Sequence, residues 1–280
     1  MINVILCLIL KHQAQHTPCT RRALYQFYDL DNSSPYNTST LVLIQIVQRH
    51  GDHAPFSFYP GDPYANDLWP DGLGELTPKG KRRMYNTGRQ LRYRYGHWLG
   101  VSPKTIYQRS QGVDRCLESA YAVSAGMYAP EGRWVWDRGP TVPTTIDALL
   151  SASATCPTAS TLQSQLANSP AATAYLAQNQ AFIDQLNNVA MLNYSTLTQF
   201  ENLYITLEDE LDYPKAPPAW LRAMGVTRTM ARLELFLYTL YNLFADNFEL
   251  LQLRAGPLVG VLLSNMQTAI SMATNTTMVK

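Results

Sequence analysis

An apolar, β-branched run, LVLIQIV at residues 41–47, ends abruptly at Gln48-Arg49-His50-Gly51. A short apolar strand that stops at glycine reads as the lead into an active-site loop of an α/β sheet. Residues 52–76 follow as a long aromatic loop rich in Gly and Pro, a kind that is more often functional than structural. Thr77-Pro78 then opens a helix, with Thr77 as the cap and Pro78 at the first helical position. Met84, Gly88, Leu91 and Tyr95 recur at three- and four-residue spacing, which carries the helix to about Tyr95. A second short strand is expected over Lys104 to Gln108, ending at Arg109-Ser110, with a helix from about Val113 to Met127. Strand, charged turn and helix thus occur twice in succession, which implies an α/β sheet with a parallel component. Ligands in such sheets bind beyond the carboxyl ends of the strands, where Arg49, His50 and Arg109 stand.

The pattern changes after residue 136. Residues 137–215 are dominated by Pro, Ser, Thr, Ala and Gln, with helical spacing near 160–191 and 195–211, as in an inserted helical subdomain. Residues 217–253 return to strong helical periodicity, with Leu233, Phe236, Leu237, Leu240, Leu243 and Phe244 on one stripe; this predicts a core helix. Gly256 to Ala273 is a further helix candidate. At the other end, Ile2 to Leu10 is apolar but has no Lys or Arg before it, so a signal segment and a buried strand both stay open.

Composition narrows the function classes. The 280 residues are 46% hydrophobic, enough for a sizeable core. With 22 Lys+Arg against 21 Asp+Glu the net charge is +1, which argues against a general nucleic-acid binder. No apolar run approaches the ~18–20 residues of a membrane span. Cysteines at 7, 19, 116 and 156 have no CxxC spacing, so zinc is not indicated. Cys116, inside a predicted helix, is expected as a buried thiol, and Cys7 and Cys19 are near enough in sequence to bridge. N-x-S/T triplets at Asn32, Asn37, Asn193 and Asn275 lend support to secretion. The basic residues of the first helix, among them Lys79, Arg82, Arg83 and Arg89, read as a solvated face; steering of an anionic substrate is the sharper reading.

Two of the five histidines, His50 and His53, fall in the loop Arg49-His50-Gly51-Asp52-His53-Ala54-Pro55. A neutral imidazole nitrogen can attack phosphorus. The equatorial oxygens of the phosphoryl group then need cations, and the guanidinium forks of Arg49 and Arg109 can supply them without a metal.

RHGD-x-x-P after an apolar strand, then WPDGLGELTPKG at Trp69 to Gly80, then Arg109-Ser110 with Val113-Asp114-Arg115, resemble in order and spacing the histidine acid phosphatases of the prostatic and lysosomal type. The resemblance implies an α/β fold: a mainly parallel sheet flanked by helices, phosphoglycerate mutase-like, with an inserted helical cap subdomain. Residues 1–39 would be an N-terminal extension, 40–136 the first part of the core, 137–215 the cap and 216–280 the second part of the core. His50 would be the nucleophile that forms a phosphohistidine, and Arg49, Arg109 and His53 would bind the phosphoryl oxygens. No metal or other cofactor is implied. The partner would be a small phosphorylated substrate in the secretory pathway, secreted or lysosomal, with a homodimer left open. The family pairs a cap cysteine with one nearer the C-terminus; none follows Cys156, which is therefore expected unpaired.

Two departures qualify the expectation. His53 stands where the family pattern has arginine, so either it binds phosphate as a titratable, single-point donor or it has left the site. The family's catalytic acid belongs to a His-Asp pair, and this sequence contains no His-Asp dipeptide. The chain therefore reads as incomplete, ending before that strand, and as a weakly active or inactive form with apolar helix faces uncovered. A non-catalytic relative that binds phosphate or a phosphorylated ligand is the alternative.

Overall fold

In a computed structural model of the chain, the residues described are 4–10, 40–100, 103, 106–129, 141–151 and 153–277. They form two compact units. The first gathers the chain up to Gly51, residues 78–154 and residues from 258 onwards; the second comprises Asp52–Thr77 and Thr155–Pro257.

The first unit is a sheet covered by helices. Its strands are β1 (Val4–Leu10), β2 (Leu43–Arg49), β3 (Ile106–Gln111) and β4 (Thr141–Val142), in the order β2-β1-β3-β4. β1 lies between β2 and β3 and is antiparallel to both, whereas β3 and β4 are parallel. β2, β3 and β4 consequently run in one direction, the shared direction expected of the βα repeats, and β1 alone opposes them. β1 falls within the apolar run Ile2 to Leu10.

Helices α1 (Pro78–Leu99) and α2 (Asp114–Met127) follow β2 and β3, as the repeat predicts. They cover one face of the sheet. Ile44 of β2, Trp98 and Leu99 of α1, and Val123 and Met127 of α2 form the buried cluster, with Ile46, Met84, Leu91 and Tyr95 packed against it. The two helices touch backbone to backbone where Gly88 crosses Gly126. A β-carbon on Gly88 would lie 2.0 Å from the Val123 carbonyl oxygen, and one on Gly126 would lie 2.0 Å from that of Tyr85. Nothing but glycine fits at either position.

Helix α10 (Gly256–Thr277) contacts the strand residue of opposite facing. The Gln45 side chain donates to the Leu262 carbonyl at 3.1 Å and accepts from Asn265 at 3.1 Å. Leu258 and Leu262 pack on Leu149 and Leu150. Val259, Leu263, Met266 and Ile270 on α10 are exposed, at spacings that place them on one stripe.

The second unit is helical. It contains α3 (Pro157–Ala167), α4 (Pro170–Gln178), α5 (Gln180–Ala190), α6 (Leu197–Asp212), α7 (Ala219–Met224), α8 (Val226–Ala245) and α9 (Phe248–Arg254). α6 starts in a capping box between Thr196 and Gln199, and Ser169 and Asn247 cap α4 and α9. The predicted stripe on α8 is the core: Leu233, Phe236 and Leu240 are buried against Phe200, Leu203 and Leu207 of α6. The rings of Phe200 and Phe236 pack at a tilt, with centroids 4.7 Å apart. By contact, α7 to α9 thus group with α3 to α6, whereas the sequence division at 215/216 assigned them to the second half of the core.

The loop 52–77 belongs to this helical unit. Tyr59 enters its core, edge-on to Trp220. Thr206 donates to the Ser57 carbonyl at 3.2 Å, and Tyr64 donates to the Ala216 carbonyl at 2.5 Å. Lys215 pairs with Asp67 while its ammonium sits 5.1 Å above the rings of both Tyr64 and Trp69. The loop ends are joined where Thr77 donates, through both its amide and its hydroxyl, to the Asp52 carbonyl.

Candidate active site

His50 stands immediately after β2 and is buried. Its Nδ1 lies 2.9 Å from the carbonyl oxygen of Gly51. A carbonyl only accepts, so Nδ1 carries the proton and, in the neutral ring, the lone pair is on Nε2. Gly51 is required by its surroundings. A β-carbon there would meet the Gly80 carbonyl oxygen at 2.8 Å, because the first turn of α1 closes on the loop. The Gly51 amide donates to Ser119 Oγ at 3.0 Å, and Ser119 in turn donates to the Arg115 carbonyl at 2.6 Å. The histidine is thereby fixed to both helices that follow the strands.

Arg49 and Arg109 share this edge of the sheet. Val4 of β1 is opposite Arg49 and the next residue, Ile5, is opposite Ser110. The carboxyl ends of β2 and β3 therefore lie level with each other, two strand spacings or about 10 Å apart. Arg109 Nη2 donates to Asp147 Oδ1 at 2.6 Å. The Asp147 side chain is fully buried, and the same oxygen accepts the amides of Leu149 and Leu150, each at 3.2 Å. A guanidinium held this way has one edge committed and its direction set. Arg49 is exposed, and its charge reaches the Cys116 thiol. Burial pushes that thiol up to about 11, with the cations of Arg115 and Arg49 acting in the other direction. Cys116 and Cys156 are free thiols, as expected; the bridge considered between Cys7 and Cys19 falls outside the described residues.

His53 lies in the second unit and is buried. It forms an isolated antiparallel bridge with Leu76, and its ring packs on Phe56 at 4.5 Å. Nδ1 lies 2.8 Å from the Ala54 carbonyl oxygen and 3.5 Å from Asp209 Oδ2 of α6. Next to Asp209 is the buried Glu210. Burial first, and then the hydrogen bond and negative charge of Asp62, push its carboxyl up to about 9. Two residues that hold the candidate groups, Asp147 and Asp209, escaped sequence reasoning. Asp147 sits in an irregular Pro-Thr-Thr stretch with no spacing signal, and Asp209 in a Glu-Asp-Glu run that reads as a solvated helix face. Among the described residues no group of three His, Cys, Asp or Glu side chains is arranged to hold a metal ion.

A histidine thus directly follows a strand, with two arginines at the same edge of an α/β sheet. A family model described as the histidine phosphatase superfamily (branch 2) matches residues 40–215, well over half of the chain. The chain belongs to this family. Among curated relatives, it is 31% identical over 243 residues to the lysosomal acid phosphatase of Rattus norvegicus, covering 83% of this chain and 57% of that one. It is 32% identical over 246 residues to the lysosomal acid phosphatase of Xenopus laevis, covering 84% and 57%. With the prostatic acid phosphatase of Rattus norvegicus it is 32% identical over 247 residues, covering 84% and 65%. The chain thus spans less than two thirds of the length of these relatives. As a branch 2 histidine phosphatase it has the α/β fold of that family, and its relatives are acid phosphatases. No helix among the described residues is long and apolar enough to cross a membrane.

Proposed function

We propose that this chain hydrolyses small phosphate monoesters at acid pH through a phosphohistidine formed on Nε2 of His50. The observation that carries the reading is the His50–Gly51 contact, which keeps the proton on Nδ1 and so directs the Nε2 lone pair to the reaction. In the first step that lone pair forms an N–P bond as the P–O bond to the leaving group breaks, and the leaving oxygen takes up a proton. Water then attacks phosphorus, the N–P bond breaks, and inorganic phosphate leaves with His50 restored. Arg49, Arg109 and His53 take the phosphoryl oxygens in both steps. The rigid Arg109–Asp147 contact supports Arg109 in this role. The names of the relatives support a place in the secretory pathway, secreted or lysosomal, and Asn193, exposed in an N-x-S triplet, is a suitable glycan acceptor.

A second reading, a phosphate-binding relative without turnover, is favoured by the histidine at position 53. His50→Ala separates the two. Loss of nitrophenyl phosphate hydrolysis with unchanged circular dichroism is the expected result. Hydrolysis near the parental rate in His50→Ala would refute the assignment. A parent that binds inorganic phosphate but turns over no aryl phosphate would establish the second reading.

A further inference from the structure

We propose that Asp209 is a positioning residue that holds His53 as an imidazolium, so that position 53 works as a cation toward phosphate only while that ring stays protonated. The inference rests on the phosphatase reading for what His53 faces, and on the second unit alone for what faces His53. The geometry on the ring is explicit. Nδ1 donates to the Ala54 carbonyl at 2.8 Å in either charge state, so Nε2 is the atom that gains and loses the proton. A buried imidazole otherwise favours its neutral form. Here the Asp209 carboxylate stands 3.5 Å from the protonated nitrogen, close enough for an opposite charge to reverse that preference.

Other titratable groups surround Asp209. Glu210, also on α6, and Asp62, in the same loop as His53, are carboxyls that share a buried corner beside Asp209, and Lys215 is the cation that acts on Glu210. Asp52 precedes His53 by one residue. Because Glu210 keeps its proton through the acid and neutral range, Asp209 is the α6 carboxylate that meets the ring as a formal charge. Phe56 on one face and the Leu76 bridge on the backbone prevent the ring from turning away. His53 follows His50 by three residues, so the covalent chain keeps their α-carbons within about 11 Å. An arginine would serve such a position at every pH; a histidine held by a carboxylate serves it at acid pH and releases phosphate as the pH rises.

The test uses the whole chain, with inorganic phosphate as the probe. The imidazole titration of His53 is followed by NMR in the parent and in Asp209→Asn, and phosphate affinity is measured from pH 4.5 to 8. In Asp209→Asn the His53 midpoint falls, and phosphate binding between the two midpoints weakens about tenfold. His53→Arg binds phosphate with a flatter pH dependence, and adding Asp209→Asn to it changes the profile less than twofold. In turnover the effect appears in KM rather than kcat. An unmoved His53 midpoint in Asp209→Asn, or a moved midpoint with unchanged phosphate affinity, overturns the proposal. If Asp209→Asn does not fold, Asp209→Glu and the His53→Arg profile decide it: a pH dependence of phosphate binding in His53→Arg equal to the parent's places His53 outside the site. The underlying phosphatase reading fails separately, through retained hydrolysis in His50→Ala.

Discussion

Asp147→Ala should be among the most damaging single substitutions outside the helical core. One oxygen of Asp147 accepts three donors: the Arg109 guanidinium at 2.6 Å and the amides of Leu149 and Leu150 at 3.2 Å. The carboxylate is fully buried and the Arg109 side chain is 18% exposed, so solvent repairs little of the loss. Truncating one partner of such a pair typically costs 3–5 kcal/mol, because the remaining charge is left without compensation. Asp147→Asn retains an acceptor oxygen and removes only the charge. The difference between a charge-assisted and a neutral hydrogen bond sets its cost at about 1–2 kcal/mol. Urea unfolding followed by tryptophan fluorescence gives both values. The Arg109→Ala single and double substitutions close the cycle, with a coupling of at least about 1.5 kcal/mol. In the folded Asp147→Asn variant, Arg109 is held only by a neutral hydrogen bond, and phosphate affinity should fall about tenfold, the equivalent of one weakened charged contact. Asp147→Ala within about 0.5 kcal/mol of the parent would show that this contact neither supports the fold nor orients Arg109.

Two further outcomes follow from single features. Burial and Asp62 hold Glu210 near 9 in the folded chain, far above the ~4.3 of an unfolded glutamate, so the folded state keeps a proton that the unfolded state releases. Stability should therefore fall as the pH rises from about 4.5 toward 9, by up to ~1.4 kcal/mol per unit, and Glu210→Gln should flatten that slope; parallel urea midpoints for parent and variant across this range would contradict the sign. Gly126→Ala forces a β-carbon onto the Tyr85 carbonyl at 2.0 Å and should cost at least ~3 kcal/mol, whereas Ala125→Gly, one residue away, should cost only ~1 kcal/mol; equal thermal shifts for the two would mean that α1 and α2 can separate freely.

What could be read from the sequence was what is contiguous in it. LVLIQIV, Thr77-Pro78 and Val113-Asp114 carry periodicity and helix-start chemistry within a few residues. β2, α1, β3 and α2 accordingly lie within a few residues of where the pattern put them. α1 extends past Tyr95 to Leu99 because Trp98 finds a distant acceptor in the Leu41 carbonyl, which no local rule includes. The break between α7 and α8 comes from Gly225 at φ 87°, and the break before α9 from the Asn247 cap; both residues were visible, but the helical stretch read over 217–253 ran across them. β1 shows the other limit. Its apolar composition fits a buried strand, but an antiparallel place between β2 and β3 depends on partners that begin decades of residues later.

The same distinction divides the candidate site. His50, Arg49 and Arg109 announce themselves because their chemistry is local: Arg49 ends β2 with His50 directly after it, and Arg109 lies in the last residues of β3, which runs on to Gln111 rather than stopping at Gln108. The groups that decide how those residues behave come from elsewhere. Asp147 fixes the direction of Arg109 from beyond α2, and Asp209 reaches His53 from α6. Neither carboxylate has a motif, since a pairing needs only one oxygen at the right place and any fold that delivers it will do. The substitution of histidine for arginine at position 53 looks like a loss when read along the chain. With the part-buried Asp209 carboxylate 3.5 Å from the ring, it becomes under this proposal a cation whose presence depends on pH, and the residue that would make it one lies outside every recognisable motif.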